Sequence, residues 1–307
     1  MADQLELFEK PEADEVYMIA GWRQWADAGN VSSGLPQYLI EKLGARKIGR
    51  IKPDGFYLFQ TPVSQFLFRP HFKFEEGYRK EVIVHRNEVF YWENGRRGLV
   101  IFLGDEPHMN VERYAEAFFD LAKALNVRRI AATGGVYALV PFDKHRTFSV
   151  TYAMPHMKAE LAEYAVSFSN YEGGVSIGSY LEDRAEHVGQ EYFAMYAFVP
   201  AYDFSQFAHR EQMQPIAVEN DYQAWHDAMV RLNHMFKLGV DLTELAEKSA
   251  ETAAQMREAI EKLARQLPHA PIKEWLAKLN ADFVEMPFTK LDDVWEDALG
   301  DIFKDSE

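Results

Sequence analysis

The sequence predicts an α/β fold, a mixed and mostly parallel sheet flanked by helices, with a helical C-terminal arm. Three observations carry this. Between residues 14 and 205, short apolar runs rich in β-branched and aromatic residues alternate with segments of helical periodicity. The strand–helix–strand order there comes with connections of a few residues, which implies right-handed crossovers and parallel pairing. Beyond residue 220 apolar residues recur at spacings of three and four, the period of a helix.

The first strand is Val16–Ala20, broken at Gly21. A helix follows with Leu35, Leu39 and Leu43 on one face beside Tyr38, stopped by Gly44; Pro36 is tolerated because it falls in the first turn. Lys47–Ile51 reads as a second strand. Residues 52–80 hold Phe56, Tyr57, Phe59, Phe66, Phe68, Phe72 and Phe74, a density that predicts a packed excursion. Val82–His85 and Val89–Trp92 flank Arg86-Asn87 as a hairpin, and Asn94-Gly95 turns the chain into the buried strand Gly98–Leu103. Asn110 is placed to cap a helix bearing Tyr114, Phe118, Leu121 and Leu125. Arg129–Thr133 is the next strand and ends in Gly134-Gly135. A strand near Phe148–Tyr152, a helix from Met157, a helix at Ser179–His187 and a strand at Tyr192–Val199 complete the sheet.

In the last third, Tyr222, Trp225, Met229, Leu232 and Phe236 line one helix that Gly239 ends. Ser249, Ala253, Met256, Ile260, Leu263 and Leu267 continue the alternation on a second. Three heptads are marginal as a free coiled coil, so this seam is expected to pack on the chain's own core rather than on a neighbour. The expected division is an acidic N-terminal tail (1–13), an α/β domain (14–240), a helical arm (241–290) and an acidic C-terminal tail (291–307).

The 307 residues contain no cysteine, which excludes disulfides, thiolate metal sites and a cysteine nucleophile. The longest uncharged stretch, Gly55–Phe68, has 14 residues and contains Pro62, too short to span a bilayer. The acidic N-terminus lacks the basic-then-apolar order of a secretion signal, so a cytoplasmic protein is expected. A net charge of −15 argues against nucleic-acid binding. Most of that charge sits at the ends: six acids and one lysine in residues 1–15, seven acids and one lysine in 291–307. Such ends read as solvating tails.

No P-loop, dinucleotide fingerprint or H-E-x-x-H zinc motif occurs, and no metal or cofactor site is expected. Gly174-Val175-Ser176-Ile177-Gly178 matches a hydrolase elbow, but a loop precedes it where the chemistry needs a buried strand, so it reads as a helix entry. Three segments stand out at the carboxyl edge of the sheet, where open α/β folds bind ligands. One is Gly21–Gly29, with Trp22, Trp25, Asp27 and Gly29. The second is Thr133-Gly134-Gly135, whose amides could hold an anion. The third is the basic stretch Pro141–Arg146, with His145 and Arg146. A purely structural alternative exists for each: Asp27 closing a turn, tryptophans covering the sheet, glycines permitting tight backbone.

The order G-W-x-x-W-x-D-A-G at 21–29, Asp54-Gly55-Phe56-Tyr57, Gly104-Asp105-Glu106-Pro107, Thr133-Gly134-Gly135 and Pro141 resembles the proteasome assembly chaperone family of the second-subunit type. Tyr171-Glu172-Gly173 and Val199-Pro200-Ala201-Tyr202 extend the likeness over residues 14–245, and the helical arm resembles the C-terminal extension of bacterial and archaeal members. The resemblance implies a phosphorylase/hydrolase-like sheet in an oligomeric protein, whose eukaryotic and archaeal relatives bind proteasome α-subunits. Two departures qualify it. Phe142-Asp143-Lys144-His145-Arg146 replaces a commoner histidine–threonine–arginine stretch after the proline. The chain ends Lys304-Asp305-Ser306-Glu307 rather than in a hydrophobic–tyrosine–any-residue motif, which argues against proteasome docking through the C-terminus.

The expected function is a non-catalytic, self-associating protein-binding or assembly factor. The alternative is a small-molecule enzyme of nucleoside phosphorylase or hydrolase type working at the same edge. Asp27, His145 and Arg146 would be its candidate groups, and that reading requires them to meet.

Overall fold

The computed structural model describes residues 4–59, 69–205 and 215–288. Its sheet grows outward from β2 (Glu15–Arg23), a run buried from Val16 to Trp22 because both of its faces are covered. Tyr17 and Ile19 point into one apolar layer, and Met18, Ala20 and Trp22 into the other. In chain order the other strands are β1 (Leu5–Leu7), β3 (Arg46–Ile51), β4 (His71–Glu75), β5 (Tyr78–Ile83), β6 (Glu88–Asn94) and β7 (Arg97–Asp105). Then come β8 (Val127–Ala138), β9 (Phe148–Tyr152), β10 (Ser167–Phe168), β11 (Glu191–Tyr202) and β12 (Ile216–Ala217). Helices are α1 (Gly34–Leu43), α2 (Val111–Ala124), α3 (Met157–Leu161), α4 (Ile177–Val188), α5 (Tyr222–Phe236), α6 (Thr243–Gln266) and α7 (Ile272–Asp282).

The main sheet has ten strands in the order β1-β3-β6-β7-β2-β8-β11-β9-β10, with β12 on the end of β11. Its centre, β7-β2-β8-β11, is parallel; β3, β6 and β9 join antiparallel at the flanks. This is the mixed, mostly parallel sheet the sequence predicts. Side chains of α1, α5 and α6 build one core layer, those of α2 and α4 the other. The carboxyl ends of β2, β7, β8 and β11 therefore share one edge.

Several expectations need correction. Thr133-Gly134-Gly135 does not follow a strand; it lies inside β8, paired with Met195, Tyr196 and Ala197 of β11. Arg86-Asn87 makes no hairpin, because β5 pairs with β4 while β6 pairs with β3 and β7. Asn87 is instead almost fully buried, so its turn-forming chemistry is spent inside the molecule. Among the described residues of the excursion, Phe56 is buried, while every residue of β4 and β5 is exposed. Phe66 and Phe68 lie outside the described residues. Asn110 is no cap: its left-handed backbone turns the side-chain amide onto the Gly55 carbonyl, 2.6 Å away.

At the N-terminus, residues expected in a solvated tail form β1, with Glu6 on Arg50 and Glu9 on Arg46. Helix α5 ends at Lys237, which takes the left-handed conformation two residues before Gly239. Met256, Ile260 and Leu263 of α6 enter the same core as α5, so the seam is filled within the chain. The C-terminal segment 291–307 lies outside the described residues. Among the described residues no helix is long and apolar enough to cross a membrane.

Candidate functional site

Trp22 and Trp25 lie three residues apart and meet opposite fates. Trp22 is the last inward residue of β2, completely buried, and its indole N–H donates to the Tyr114 hydroxyl at 2.8 Å. Trp25 has left the strand, and 73% of its surface is exposed. Asp27 closes the turn between them and α1. Its Oδ1 accepts from the amides of Ser32 (2.8 Å) and Ser33 (3.0 Å), and Oδ2 from the Ser33 hydroxyl (2.6 Å). Burial nevertheless raises this carboxyl above the ordinary range, against the hydrogen bonds that lower it. Gly29 sits at φ +63°, where a side chain is strained, and a Cβ there would press on Asp221 at 2.7 Å.

The paired glycines of β8 have a packing reason. A Cβ on Gly134 would lie 2.4 Å from the Tyr196 ring, and one on Gly135 would lie 2.1 Å from the Ala28 carbonyl. The Gly135 amide donates to Ala26 at 3.0 Å. The expected anion cradle of bare amides at Thr133-Gly134-Gly135 is therefore corrected: these amides belong to the sheet and to the first loop.

Arg146 is also spoken for. Its Nε and Nη2 grip the Asp221 carboxylate at 2.8 and 3.2 Å, and its remaining N–H groups reach the carbonyls of Pro141, Phe142 and Lys144. Both side chains are buried. Asp221 caps α5 by accepting from the Ala224 amide, and its own amide donates to Gly29. His145 turns its Nδ1 to Asp227 at 2.9 Å, which raises the imidazole pKa, while its backbone amide donates to Glu285. Asp227 also receives Gln223, His226 and the Arg146 amide, and these donors hold its carboxyl far below the usual range.

Thus the 21–29 loop and the 141–146 stretch do converge, on the first turn of α5. They converge through Gly29 and Asp221, and Asp27, His145 and Arg146 each bind different partners. No acid–base pair with an oriented nucleophile forms from them. Among the described residues, no group of three or more His, Asp or Glu side chains could hold a metal ion. Ser176 follows a loop and stands at the N-cap position of α4, where its hydroxyl makes no cap bond and lies 3.3 Å from the Tyr196 hydroxyl.

Residues that the sequence did not mark as site candidates, several of them within the motifs of the resemblance, complete the edge. Glu106, just beyond β7, accepts from the Ile177 amide at the start of α4 (2.7 Å) and from the Trp25 amide (3.0 Å). A carboxylate is favourable at that helix terminus. Asp105 bonds Arg23 at 2.5 Å and the Arg86 amide at 2.8 Å, and its carboxyl lies below the ordinary range. Asn87 collects the hydroxyls of Tyr57 and Tyr114. The sequence signals were present: Asp221 stands where a helix N-cap is expected, and Asp105-Glu106 closes an apolar strand. Besides Trp25, Tyr137 and Leu139 past the paired glycines, and Tyr171 and Val175 on the segment ahead of α4, are each exposed by more than half.

Solved structures of the same fold cover nearly the whole chain. One is a Mycobacterium tuberculosis proteasome-assembly chaperone homologue, at TM-score 0.68 and 19% identity over 85% of this chain and 99% of that one. Another is an M. tuberculosis protein of unknown function, at TM-score 0.71 and 18% identity over 99% and 93%. A third is an archaeal proteasome activator of Pyrococcus furiosus, at TM-score 0.57 and 16% identity over 83% and 97%. At these identities the likeness shows the fold alone. The comparison with curated proteins finds no match. The PAC2 family profile matches residues 22–260, and the chain belongs to the PAC2 family.

Proposed function

We propose that this chain is a non-catalytic protein-binding factor of the assembly-chaperone kind, acting in the cytoplasm, with the carboxyl edge of its sheet as the docking face. The observation that carries this is the set of exposed apolar side chains on the segments that follow β2, end β8 and precede α4: Trp25, Tyr137, Leu139, Tyr171 and Val175. Exposed apolar surface marks interaction sites, and aromatic anchors dominate such interfaces. Asp27, Glu106, Arg146 and Asp221 beneath it are each held by protein partners, as suits a rigid platform, while Gln24 Oε1, Asn87 Nδ2 and Thr133 Oγ1 are buried with no hydrogen-bond partner among the described residues. Relatives described as a proteasome-assembly chaperone homologue and a proteasome activator support the reading. Affinity purification with the wild-type chain and with Trp25→Ala/Tyr137→Ala tests it. A protein retained by the first and lost from the second, with both equally stable, supports the docking face. Identical co-purifying proteins would overturn it.

Self-association belongs to the same proposal, with the β4–β5 hairpin as its surface. A two-stranded hairpin is marginal in water unless something packs on it. This one exposes Phe72 and Phe74, stacked 6.0 Å apart, together with Tyr78 and Ile83. Residues 71–83 balance Lys73, Arg79 and Lys80 against Glu75, Glu76 and Glu81, so two copies of the patch meet without net repulsion although the chain carries −15. Light scattering on wild type and Phe72→Ser/Phe74→Ser decides it: a mass above the monomer that the variant loses supports the surface, and a monomeric wild type sinks it.

A further inference from the structure

Tyr57-Leu58 and His85, which stand before and after the β4–β5 hairpin in the chain, are the roots of this arm, and both meet on His108. The Leu58 amide donates to His108 Nδ1 at 3.1 Å. Tyr57 stacks on His85 with ring centres 4.3 Å apart, and the His108 ring stands edge-on to both, 5.5 Å from Tyr57 and 5.1 Å from His85. The acceptor role fixes the tautomer: His108 Nδ1 must offer its lone pair, so the ring proton sits on Nε2. Any further proton must go to Nδ1, the atom that receives Leu58.

We propose that His108 is an acid-released latch on the β4–β5 hairpin: a proton taken from solvent onto Nδ1 breaks the Leu58 bond and loosens both roots of the arm. The consequence for a second copy rests on the self-association reading above; the latch itself does not. Among the described residues, the titratable groups facing His108 are His85 after β5, Asp105 at the end of β7 and the neutral Tyr57. Asp105 is already engaged by Arg23, the Arg86 amide and His85, so its attraction is shared. Burial and the neighbouring His85 lower the pKa of His108, against the raising effect of Asp105. The latch is therefore closed at neutral pH and opens below the ordinary histidine range, about 6.5. Opening is local, because Phe56 is buried and its carbonyl still accepts from the amides of His108 and Met109.

The test is hydrogen exchange of the full chain between pH 7.5 and 5.0, corrected for intrinsic rates. It is run at a dilution where light scattering shows constant mass, so a failure of self-association leaves the readout intact. Leu58 and residues 71–83 are expected to lose about tenfold in protection as pH falls, the scale of one hydrogen bond. His108→Asn, whose Oδ1 accepts from Leu58 without titrating in this range, is expected to stay protected. NMR titration of the His108 ring in wild type supplies a second readout, with a midpoint below 6.5 expected. Protection independent of pH, the same loss in His108→Asn, or a midpoint at or above 6.5 would each overturn the latch.

Discussion

Arg146 and Asp221 form a buried ion pair, Nε to Oδ2 at 2.8 Å, that pins the loop after β8 to the first turn of α5. Each partner is satisfied by further bonds, so neither is available to a ligand. Removing one side leaves the other charged and dry. Asp221→Ala or Arg146→Ala should cost about 3–5 kcal/mol, the usual penalty for an orphaned buried charge. Urea denaturation measures it. A loss below about 1 kcal/mol would mean that water replaces the missing partner.

The two tryptophans of the first loop separate stability from recognition. Trp22 packs on Phe102 and Phe118 at 5.5 and 5.7 Å, and Trp22→Ala should destabilise by about 3–5 kcal/mol. Trp25 touches the body mainly through its backbone, and Trp25→Ala should change stability by no more than about 0.5 kcal/mol. Thermal melts of the two variants give the comparison directly.

That contrast shows what the sequence could and could not convey. The central strands were legible because burial on both faces writes a continuous apolar run, as in Val16–Ala20 and Gly98–Leu103. The helices were legible from their period. Trp22 and Trp25 look alike in the motif, and only the point where β2 ends decides which is core. Gly134-Gly135 reads as a loop because glycine permits turns, but the same absence of Cβ also permits close packing, and Tyr196 and Ala28 use it here. Arg146 looked free because Asp221, 75 residues away, carries no mark that they meet. The hairpin was misplaced for a similar reason: Asn87 suits a turn, yet its oxygen serves the hydroxyls of buried Tyr114 and half-buried Tyr57.

Asp27 tests whether the first loop is a scaffold. Three donors from Ser32 and Ser33 converge on its carboxylate, so Asp27→Ala should lower stability by roughly 1–3 kcal/mol at pH 7. Because burial raises this carboxyl above 3.8, the folded state holds its proton longer than the unfolded chain does. Its ionisation therefore subtracts stability as pH climbs from 3.8 through the raised value. The penalty of Asp27→Ala should accordingly be larger near pH 4 than at pH 7. Melting curves at the two pH values check the order, and a variant as stable as wild type at both would reassign Asp27 to function.

Glu182 gives a large expected pH effect across the neutral range. It lies on α4 against β9 and β11, facing Thr151, Tyr192 and Tyr196, and its Oε2 has no hydrogen-bond partner among the described residues. Burial pushes the carboxyl up to about 7 from 4.5. Between those values the unfolded chain has released the proton and the folded one has not, so stability falls as pH rises through the window and levels off above 7. Glu182→Gln removes the charge and keeps the shape. At pH 4.5 the two proteins should be nearly equal; at pH 8 the variant should be more stable by roughly 2 kcal/mol, somewhat less than the shift itself would give at about 1.4 kcal/mol per unit. Chemical denaturation across pH 4.5–8 measures the gap. Parallel profiles for wild type and variant would show that Glu182 stays solvated and ionised in the folded protein.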